Sequence, residues 1–444
     1  MPRVADIRKP AKTPPSRPLT ARLTALNGLL GMVAPVPGAW LKTAIRADDF
    51  SASQNSNSVA TIGCDRYSDL ITSWKEAMEW FSGLDDALAV MLASSMSTPF
   101  VGEQLWIKII GPPSCGKTSL MEGLATATEH YVSKDSIRGF YSGFKVKGGE
   151  EKPSLADEVM NKTLGTKDGD TLLKAPNLKQ ILSEGRALYD RVSRTHYRNA
   201  VSSVHIGRMT WHLAGTAALR EIDDSELGAR FLDVVVMDKI EDRFENEVGR
   251  RAALQEARNM LVLSDGKPES RHPRALAKAM GLSGGYLEFL RENALDLTSA
   301  VTVKKCVLEK ISHYGKFAAF MRARNSGESS EREFSARLVK QFTRLAISLA
   351  GVLQKRSVDE EVIARVHKVT MDTSRGFTLE LLSKIADQRQ GMEVRGIAAR
   401  LNTGDDSLRK QLRFLRKIGV VELDKSKKRW RVTDRLHRLY KSVK

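Results

Sequence analysis

Eight consecutive residues, 111–118, have the types and the spacing needed to bind a polyphosphate. They read Gly111-Pro112-Pro113-Ser114-Cys115-Gly116-Lys117-Thr118 and fit the pattern G-x-x-x-x-G-K-[ST]. The apolar run at 105–110 predicts a strand before this loop, and 117–128 is predicted to be a helix after it. Such a turn aims backbone N–H groups and a helix N-terminus at one point, which stabilises phosphate charge. These residues and Ser119 therefore form the candidate nucleotide site.

The pattern also assigns roles to single side chains. We expect Lys117 to reach the β- and γ-phosphates of ATP, and the Thr118 hydroxyl to ligate the Mg²⁺ that bridges them. The predicted cofactors are therefore ATP and Mg²⁺.

Hydrolysis would also require carboxylates near this loop, because Mg²⁺ must be held and the attacking water polarised. The best candidates lie in 161–170, where Asp168 is expected to hold the metal through its water shell and Asp170 to activate water. The alternative is a plain solvated turn, since Asp168-Gly169 is a strong turn signal. Further along, Thr216 ends a predicted strand and is a candidate for positioning water against the γ-phosphate.

An arginine precedes the next predicted strand, at 234–237. Arg230 lies within the run 225–233, and a residue just before a sheet strand can lie at the edge of the fold. In a ring of identical subunits, such an arginine would reach the neighbour's phosphate and stabilise developing charge. Arg230 is therefore a catalytic candidate that acts between subunits.

The chain divides into regions of different pattern. Residues 1–63 are predicted to be a disordered basic arm and a polar linker, and 64–245 an α/β core in which two helices, at about 67–82 and 84–95, precede a parallel sheet. Residues 246–377 read as a helical lid region. In 378–444, three predicted helices and a β-hairpin follow one another, which is the order of a winged helix-turn-helix. The predicted fold class is thus α/β with a phosphate-loop core.

Charge points to a polyanionic partner. The chain carries a formal net charge of +18, and residues 391–444 hold 16 Lys and Arg against 6 Asp and Glu. The helix predicted at 405–418 places leucines inward and basic residues outward, as a DNA-recognition helix would. The candidate DNA contacts here are Arg409, Lys410 and Arg413 on that helix, and Lys425, Lys427 and Lys428 on the wing. The alternative is a winged helix used for protein contacts.

Two other segments mix basic and ring-bearing residues. The first, 191–199, offers phosphate contacts and a stacking surface through Arg194, Tyr197 and Arg198. Its alternative interpretation is a solvated helix end. The second, 139–148, has aromatic residues and lysines between glycines, and a core-packed turn explains it equally well.

Taken together, residues 100–375 resemble an AAA+ ATPase, most closely the minichromosome-maintenance-type branch and the helicase-like ATPases of phages and mobile elements. The matching segments are the loop 111–118 (Walker A), 163–170 (Walker B), Thr216 (sensor 1) and 227–233, which is similar to the arginine-finger segment. The resemblance implies that Arg337 is the sensor 2 arginine, that 191–199 includes a hairpin gripping DNA, and that subunits assemble into a homo-oligomer, a hexameric ring. One departure is Gly169, which stands where the family has glutamate.

The remaining composition is that of an ordinary globular protein. Three widely spaced cysteines argue against a disulfide framework, and the N-terminal segment and the apolar runs predict neither a signal peptide nor a membrane span. We therefore expect a cytoplasmic, nucleoid-associated protein without a membrane partner. The sequence favours an ATP-dependent DNA motor, either a replicative helicase or a replication initiator. An ATP-switched DNA-binding regulator and a helper ATPase for recombination or defence stay open as alternatives.

Overall fold

The structure of the chain is a computed structural model. It describes residues 59–141, 154–196, 202–223, 230–237, 248–250, 252–254, 256–257, 260, 273–325, 330–331, 333–388 and 390–444. Several sequence predictions lie outside these residues: the basic arm at 1–20, most of the linker at 51–61, the segments 142–148 and 225–229, and the DNA candidates Tyr197 and Arg198.

The centre of the fold is a five-stranded sheet in which every neighbouring pair of strands is parallel. Its strands are β1 (Trp106–Ile110), β2 (Tyr131–Lys134), β3 (Thr163–Thr166), β6 (Thr210–Gly215) and β7 (Phe231–Val235), in the order β2-β3-β6-β1-β7. Between β3 and β6, the strands β4 (Val192–His196) and β5 (Ser202–Ile206) form a separate antiparallel hairpin. The predicted α/β class with a parallel sheet is confirmed.

Helices surround the sheet and continue to the end of the chain. The first set is α1 (Tyr67–Ala77), α2 (Ser82–Met96), α3 (Lys117–Ala125), α4 (Leu155–Glu158), α5 (Gly169–Leu173), α6 (Leu178–Tyr189) and a 3-10 segment at Ala217–Asp223. The second is α7 (Arg274–Glu292), α8 (Ala294–Ser299), α9 (Lys305–Met321), α10 (Ala336–Val352) and α11 (Glu360–Thr373). The short strands β8 (Arg324–Asn325) and β9 (Ser330–Glu331) pair between α9 and α10.

The C-terminal region contains the elements that the sequence predicts. They are α12 (Phe377–Ile385), α13 (Val394–Leu401), α14 (Asp405–Lys417), the antiparallel strands β10 (Val421–Asp424) and β11 (Arg429–Val432), and an unpredicted helix α15 (Asp434–Val443). α15 packs on α9, where the Tyr440 and Phe317 rings stack with centroids 6.0 Å apart. This region therefore shares one continuous apolar core with the preceding helices.

Several predicted boundaries differ from the structure, and two of them, at the start of β7 and at the end of α1, differ by three or more residues. The strand expected at 234–237 begins at Phe231, whose fully buried ring lies against Trp106 and Trp211. The helix expected at 67–82 ends at Ala77, and α2 then starts at Ser82. The packing of the buried Phe231 ring accounts for the earlier start of β7. The helix α1 ends where Met78 takes an extended conformation.

A buried ion pair joins β1 to β7. Lys108 is fully buried in the middle of β1, and its Nζ lies 3.2 Å from Asp233, the residue opposite it in the register. Because an unpaired buried charge is strongly destabilising, a lysine in a buried strand needs such a partner. Among the described helices, none is long and apolar enough to cross a membrane.

Candidate active site

The sheet order brings the predicted catalytic segments to one edge. β1, β3 and β6 are parallel neighbours, so their carboxyl ends lie together. Residues 111–118, the predicted phosphate loop, follow β1. The pair Asp168 and Asp170 follows β3, and Thr216 follows β6. The backbone N–H of Gly111 donates to the carbonyl of Gly215 at 3.2 Å, which ties the start of the loop to the end of β6. Ligands of open parallel sheets bind at this type of edge.

The backbone of the phosphate loop is held in an unusual conformation. Ser114 and Gly116 have φ angles of 63° and 91°, in the left-handed region. Glycine at 116 adopts this angle without strain, and a Cβ atom there would also lie 2.6 Å from the Cε of Met78 and 3.2 Å from a methyl carbon of Leu84. Successive N–H groups in such a turn form a concave anion site.

The N-terminus of α3 completes this loop. The helix begins at Lys117, has no side-chain cap, and carries no acidic residue in its first turn. No capping side chain therefore accepts hydrogen bonds from the N–H groups of its first turn. The helix dipole adds partial positive charge at the same place. This arrangement fits a phosphate group.

Lys117 lies over the loop in the conformation seen here. Its Nζ donates to the carbonyls of Gly111 at 2.8 Å and Pro112 at 2.7 Å. These are neutral acceptors, so phosphate oxygens would form stronger, charge-assisted hydrogen bonds with the same ammonium group. Thr118, the second residue of α3, is exposed beside it.

Asp170 and Thr216 are in direct contact. The Asp170 carboxylate accepts hydrogen bonds from the Thr216 backbone N–H at 3.0 and 3.2 Å and from its hydroxyl at 3.1 Å. A Cβ atom at Gly215 would lie 3.0 Å from Asp170 Oδ1, so the small residue before Thr216 leaves room for the carboxylate. The two segments that the sequence proposed separately thus form one unit at the end of β6.

Asp168 has a different local partner. It caps α5 by accepting hydrogen bonds from the backbone N–H of Thr171 at 3.0 Å and from the Thr171 hydroxyl. The hydroxyl bond is the main cause that lowers the pKa of Asp168, so the exposed carboxylate is ionised at neutral pH. Its neighbour Lys167 pairs with Glu122 of α3 at 3.3 Å, which anchors this turn to the phosphate-loop helix.

The structure does not bring Arg230 and Arg337 to this edge. Both lie at the amino edge of the sheet: Arg230 directly precedes β7, and Arg337 lies 4.0 Å from Glu103, which precedes β1. A five-residue strand rising ~3.3 Å per residue separates the two edges by about 15 Å. Neither arginine therefore reaches the phosphate loop of its own chain.

Arg230 is held by contacts within its own subunit. It is 8% exposed, pairs with Asp190 at 3.1 Å, and stacks over the Tyr189 ring with its guanidinium carbon 5.1 Å from the centroid. Asp190 and Tyr189 end α6, and nothing in the sequence around Arg230 signals these partners. A role between subunits requires Arg230 to exchange Asp190 for a neighbour's phosphate.

The candidate DNA-binding residues of the C-terminal region are exposed. On α14, Leu408, Leu412 and Leu415 are buried, whereas the candidates Arg409, Lys410 and Arg413 are exposed. The turn between β10 and β11 exposes Lys425, Lys427 and Lys428. Asp424 shapes this turn by accepting hydrogen bonds from the N–H groups of Ser426 and Lys427 at 3.0 and 3.2 Å. The inward and outward pattern predicted for 405–418 is confirmed.

The two other candidate segments have different outcomes. Arg194 lies in β4, which pairs antiparallel with β5, so a hairpin is present where the resemblance implied one. The structure describes this hairpin up to residue 196 and again from residue 202. In the second segment, the fully buried Phe140 ring packs edge-on against Trp211 at 5.4 Å. For Phe140 the core-packed alternative is correct.

The described residues contain no group of three or more His, Cys, Asp or Glu side chains that would hold a metal ion. Magnesium in phosphate-transfer sites is commonly held by few protein groups together with phosphates and water, so Thr118 and a single carboxylate remain a sufficient protein set.

The chain was compared with known families and characterised proteins. No family model matches it, and no curated protein matches it either.

Proposed function

We propose that the chain is an ATP-hydrolysing, DNA-binding motor of the AAA+ type that assembles as a ring. The observation that carries this proposal is the position of the phosphate loop beside the Asp170–Thr216 unit, at the carboxyl edge of a parallel sheet. The strand order, in which β6 lies between β1 and β3, is compatible with a phosphate-loop core. The basic C-terminal region supplies the second half of the proposal, DNA binding.

The side chains have distinct roles in this proposal. Lys117 moves from the Gly111 and Pro112 carbonyls to the β- and γ-phosphates, and Thr118 would ligate Mg²⁺. Bound Mg²⁺ would neutralise charge on the phosphates. Asp170 accepts a proton from the attacking water, while the Thr216 hydroxyl orients that water. Asp168 acts through the metal's water shell or only as the cap of α5, and the variants below separate these two roles.

DNA binding is assigned to the C-terminal region as a winged helix-turn-helix. In this assignment α14 enters the major groove, and the turn between β10 and β11 lies near phosphates. Because α15 packs on α9, the C-terminal region and the preceding helices share one core, through which a movement of those helices would reach α14. This gives a physical route by which nucleotide hydrolysis could move bound DNA.

The proposal is tested by measuring ATP hydrolysis with and without DNA and strand displacement on a forked duplex. We expect DNA to stimulate hydrolysis, and displacement to require ATP. Imaging on forked DNA should show rings. Hydrolysis and DNA binding without displacement or rings would instead identify an ATP-switched regulator.

The two carboxylates are expected to differ in importance. Asp170→Asn should lower kcat by about 10²-fold or more, because the amide can no longer accept a proton. Asp168→Asn should lower it less if the carboxylate mainly caps α5. The measurement is steady-state ATP hydrolysis alongside nucleotide binding, with the exposed Asp69→Asn as the matched control. If Asp168→Asn causes the larger loss, Asp168 is the metal-positioning carboxylate.

The exposed lysines of the β10–β11 turn are expected to bind DNA without sequence preference. Changing Lys425, Lys427 and Lys428 to Gln in the full chain should weaken binding to every duplex and reduce the slope of log affinity against log salt by roughly 2 to 3. The same change at the exposed Lys304, Lys305 and Lys310 is the matched control and should leave the slope unchanged. Equal effects of both triple variants would argue against this turn as a DNA contact.

A further inference from the structure

The last helix of the chain, α15, has an apolar side and a basic side. On the apolar side Leu436 and Val443 are buried, and the Tyr440 ring stacks on Phe317 of α9. Three basic side chains, spaced three residues apart, are exposed on the other side: Arg435, Arg438 and Lys441. Because residues three apart are neighbours on a helix surface, these cations form one stripe. Apolar packing on α9 therefore holds α15 with its basic stripe toward solvent.

No ion pair neutralises this stripe. None of its three cations has a carboxylate partner within the part of the chain that the structure describes. The acidic residue of α15, Asp434, lies in the first turn, where a carboxylate stabilises the helix dipole. The neighbouring helix α11 differs, because there Arg365 pairs with Glu361 at 2.6 Å and Lys368 with Asp372 at 2.8 Å. The stripe on α15 thus keeps its positive charge.

The stripe is positioned by a tertiary contact. The guanidinium carbon of Arg435 lies 5.7 Å from the centroid of the Phe320 ring of α9, a distance typical of a cation–π contact. Like charges one turn apart repel each other and work against the helix. A polyanion would remove this repulsion, because each of its negative charges would lie near a cation that is already in place.

α15 begins beside the end of α14, the helix assigned to the major groove. Thr433, the N-cap of α15, donates from its hydroxyl to the carbonyl of Gly419 at 2.9 Å and from its N–H to the carbonyl of Val420 at 3.1 Å. Gly419 closely follows α14, whose last turn exposes Arg416 and Lys417. Exposed cations therefore extend from the last turn of α14 to α15.

We propose that α15 is a second DNA-binding surface, which contacts the phosphates of a duplex bound at α14. Arg435 and Lys441 are separated by ~9 Å along the helix axis, at 1.5 Å per residue. A DNA strand has one phosphate for every ~3.4 Å of duplex axis, so the stripe matches two or three consecutive phosphates. Such contacts position the duplex without reading its bases. The inference rests on the DNA binding proposed for the C-terminal region, and it requires neither ATP hydrolysis nor a ring.

The test is DNA binding by the full chain carrying Arg435→Gln/Arg438→Gln/Lys441→Gln. We expect binding to every duplex to weaken by about tenfold or more at ~0.1 M salt, and the slope of log affinity against log salt to fall by roughly 2 to 3. The matched control changes the exposed Lys75, Lys179 and Lys278 to Gln and should retain both affinity and slope. An unchanged slope in the α15 variant would overturn the proposal.

A charge-conserving variant separates the loss of charge from the loss of structure. Arg435→Lys/Arg438→Lys keeps all three cations, and an ammonium group binds phosphate as a point charge. It should therefore retain most of the wild-type affinity and the wild-type slope, and thermal unfolding of both variants should match the wild type. A loss as large as that of the Gln variant would show that charge is not the cause, and the proposal would be wrong.

Comparison with the wing variant Lys425→Gln/Lys427→Gln/Lys428→Gln distinguishes this inference from the proposed function. If only the wing variant loses affinity, the second surface is excluded and DNA binding by the winged helix stands. If only the α15 variant loses affinity, α15 stands and the wing contact is excluded. If neither loses affinity, both assignments fail.

Titration with poly-L-glutamate tests the other class of polyanion, an acidic protein segment. We expect the wild type to bind duplex DNA more tightly than polyglutamate of equal charge, and the α15 variant to lose this preference. An α15 variant that loses polyglutamate binding but keeps wild-type affinity for DNA would assign the stripe to an acidic protein partner and overturn the proposal.

Discussion

Lys117→Ala is expected to reduce ATP hydrolysis by at least about 10²-fold, because the reaction loses the cation proposed to bind the β- and γ-phosphates. In this structure the ammonium group already lies over the loop, donating to the carbonyls of Gly111 and Pro112. Its removal also weakens nucleotide binding. The measurements are steady-state hydrolysis and equilibrium binding of ATP.

Two companion variants make this result specific. Lys179→Ala removes an exposed lysine of α6 and should retain wild-type hydrolysis, so a general effect of lost charge is excluded. Thr118→Ala should keep nucleotide binding while losing Mg²⁺-dependent turnover, since its hydroxyl is the proposed metal ligand. Normal hydrolysis by Lys117→Ala would show that this loop is not the site, and the ATPase proposal would be abandoned.

Arg230→Ala is expected to bind ATP nearly as the wild type does but to hydrolyse it about 10³-fold more slowly, a loss comparable to that of other arginine fingers. The reason is positional: Arg230 lies at the amino edge of the sheet, away from the phosphate loop of its own chain, so it can act only on a neighbour's nucleotide. Hydrolysis and binding are measured on the assembled protein.

Mixing two inactive variants tests whether the action crosses a subunit boundary. Combining Arg230→Ala with Lys117→Ala creates some interfaces where an intact loop faces an intact arginine, so part of the hydrolysis should return. Neither variant alone has such an interface. Absence of recovery in demonstrated mixed oligomers would place Arg230 in a role within its own subunit.

The contact between Arg230 and Asp190 supplies the matched control. If Arg230 is needed only for the 3.1 Å ion pair at the end of α6, Asp190→Asn should reproduce the loss of hydrolysis. If Arg230 acts on a neighbour, Asp190→Asn should retain hydrolysis, because it releases the guanidinium without removing it. Thermal unfolding of both variants separates a stability effect from a catalytic one.

The turn at 111–116 and the helix after it could be predicted from the sequence because the signal is local. The types of 111–118 specify a turn, a cation and a hydroxyl within eight residues, and the helix that begins at Lys117 follows directly. The buried and exposed faces of the helix at 405–417 could be predicted for the same reason, because helical periodicity places its leucines on one face and its basic residues on the other.

Contacts between distant segments were decided only by the tertiary structure. The order of the strands in the sheet places Asp170 against Thr216, 46 residues later in the chain, and Lys108 opposite Asp233. The sequence alone does not predict this strand order, so it does not predict these partners. The same holds for Arg230, whose burial against Tyr189 and Asp190 has no sequence signal. Local residue patterns therefore determined the loop at 111–118 and the basic helix α14. Packing between distant segments, which depends on shape and charge, decided which catalytic candidates lie together.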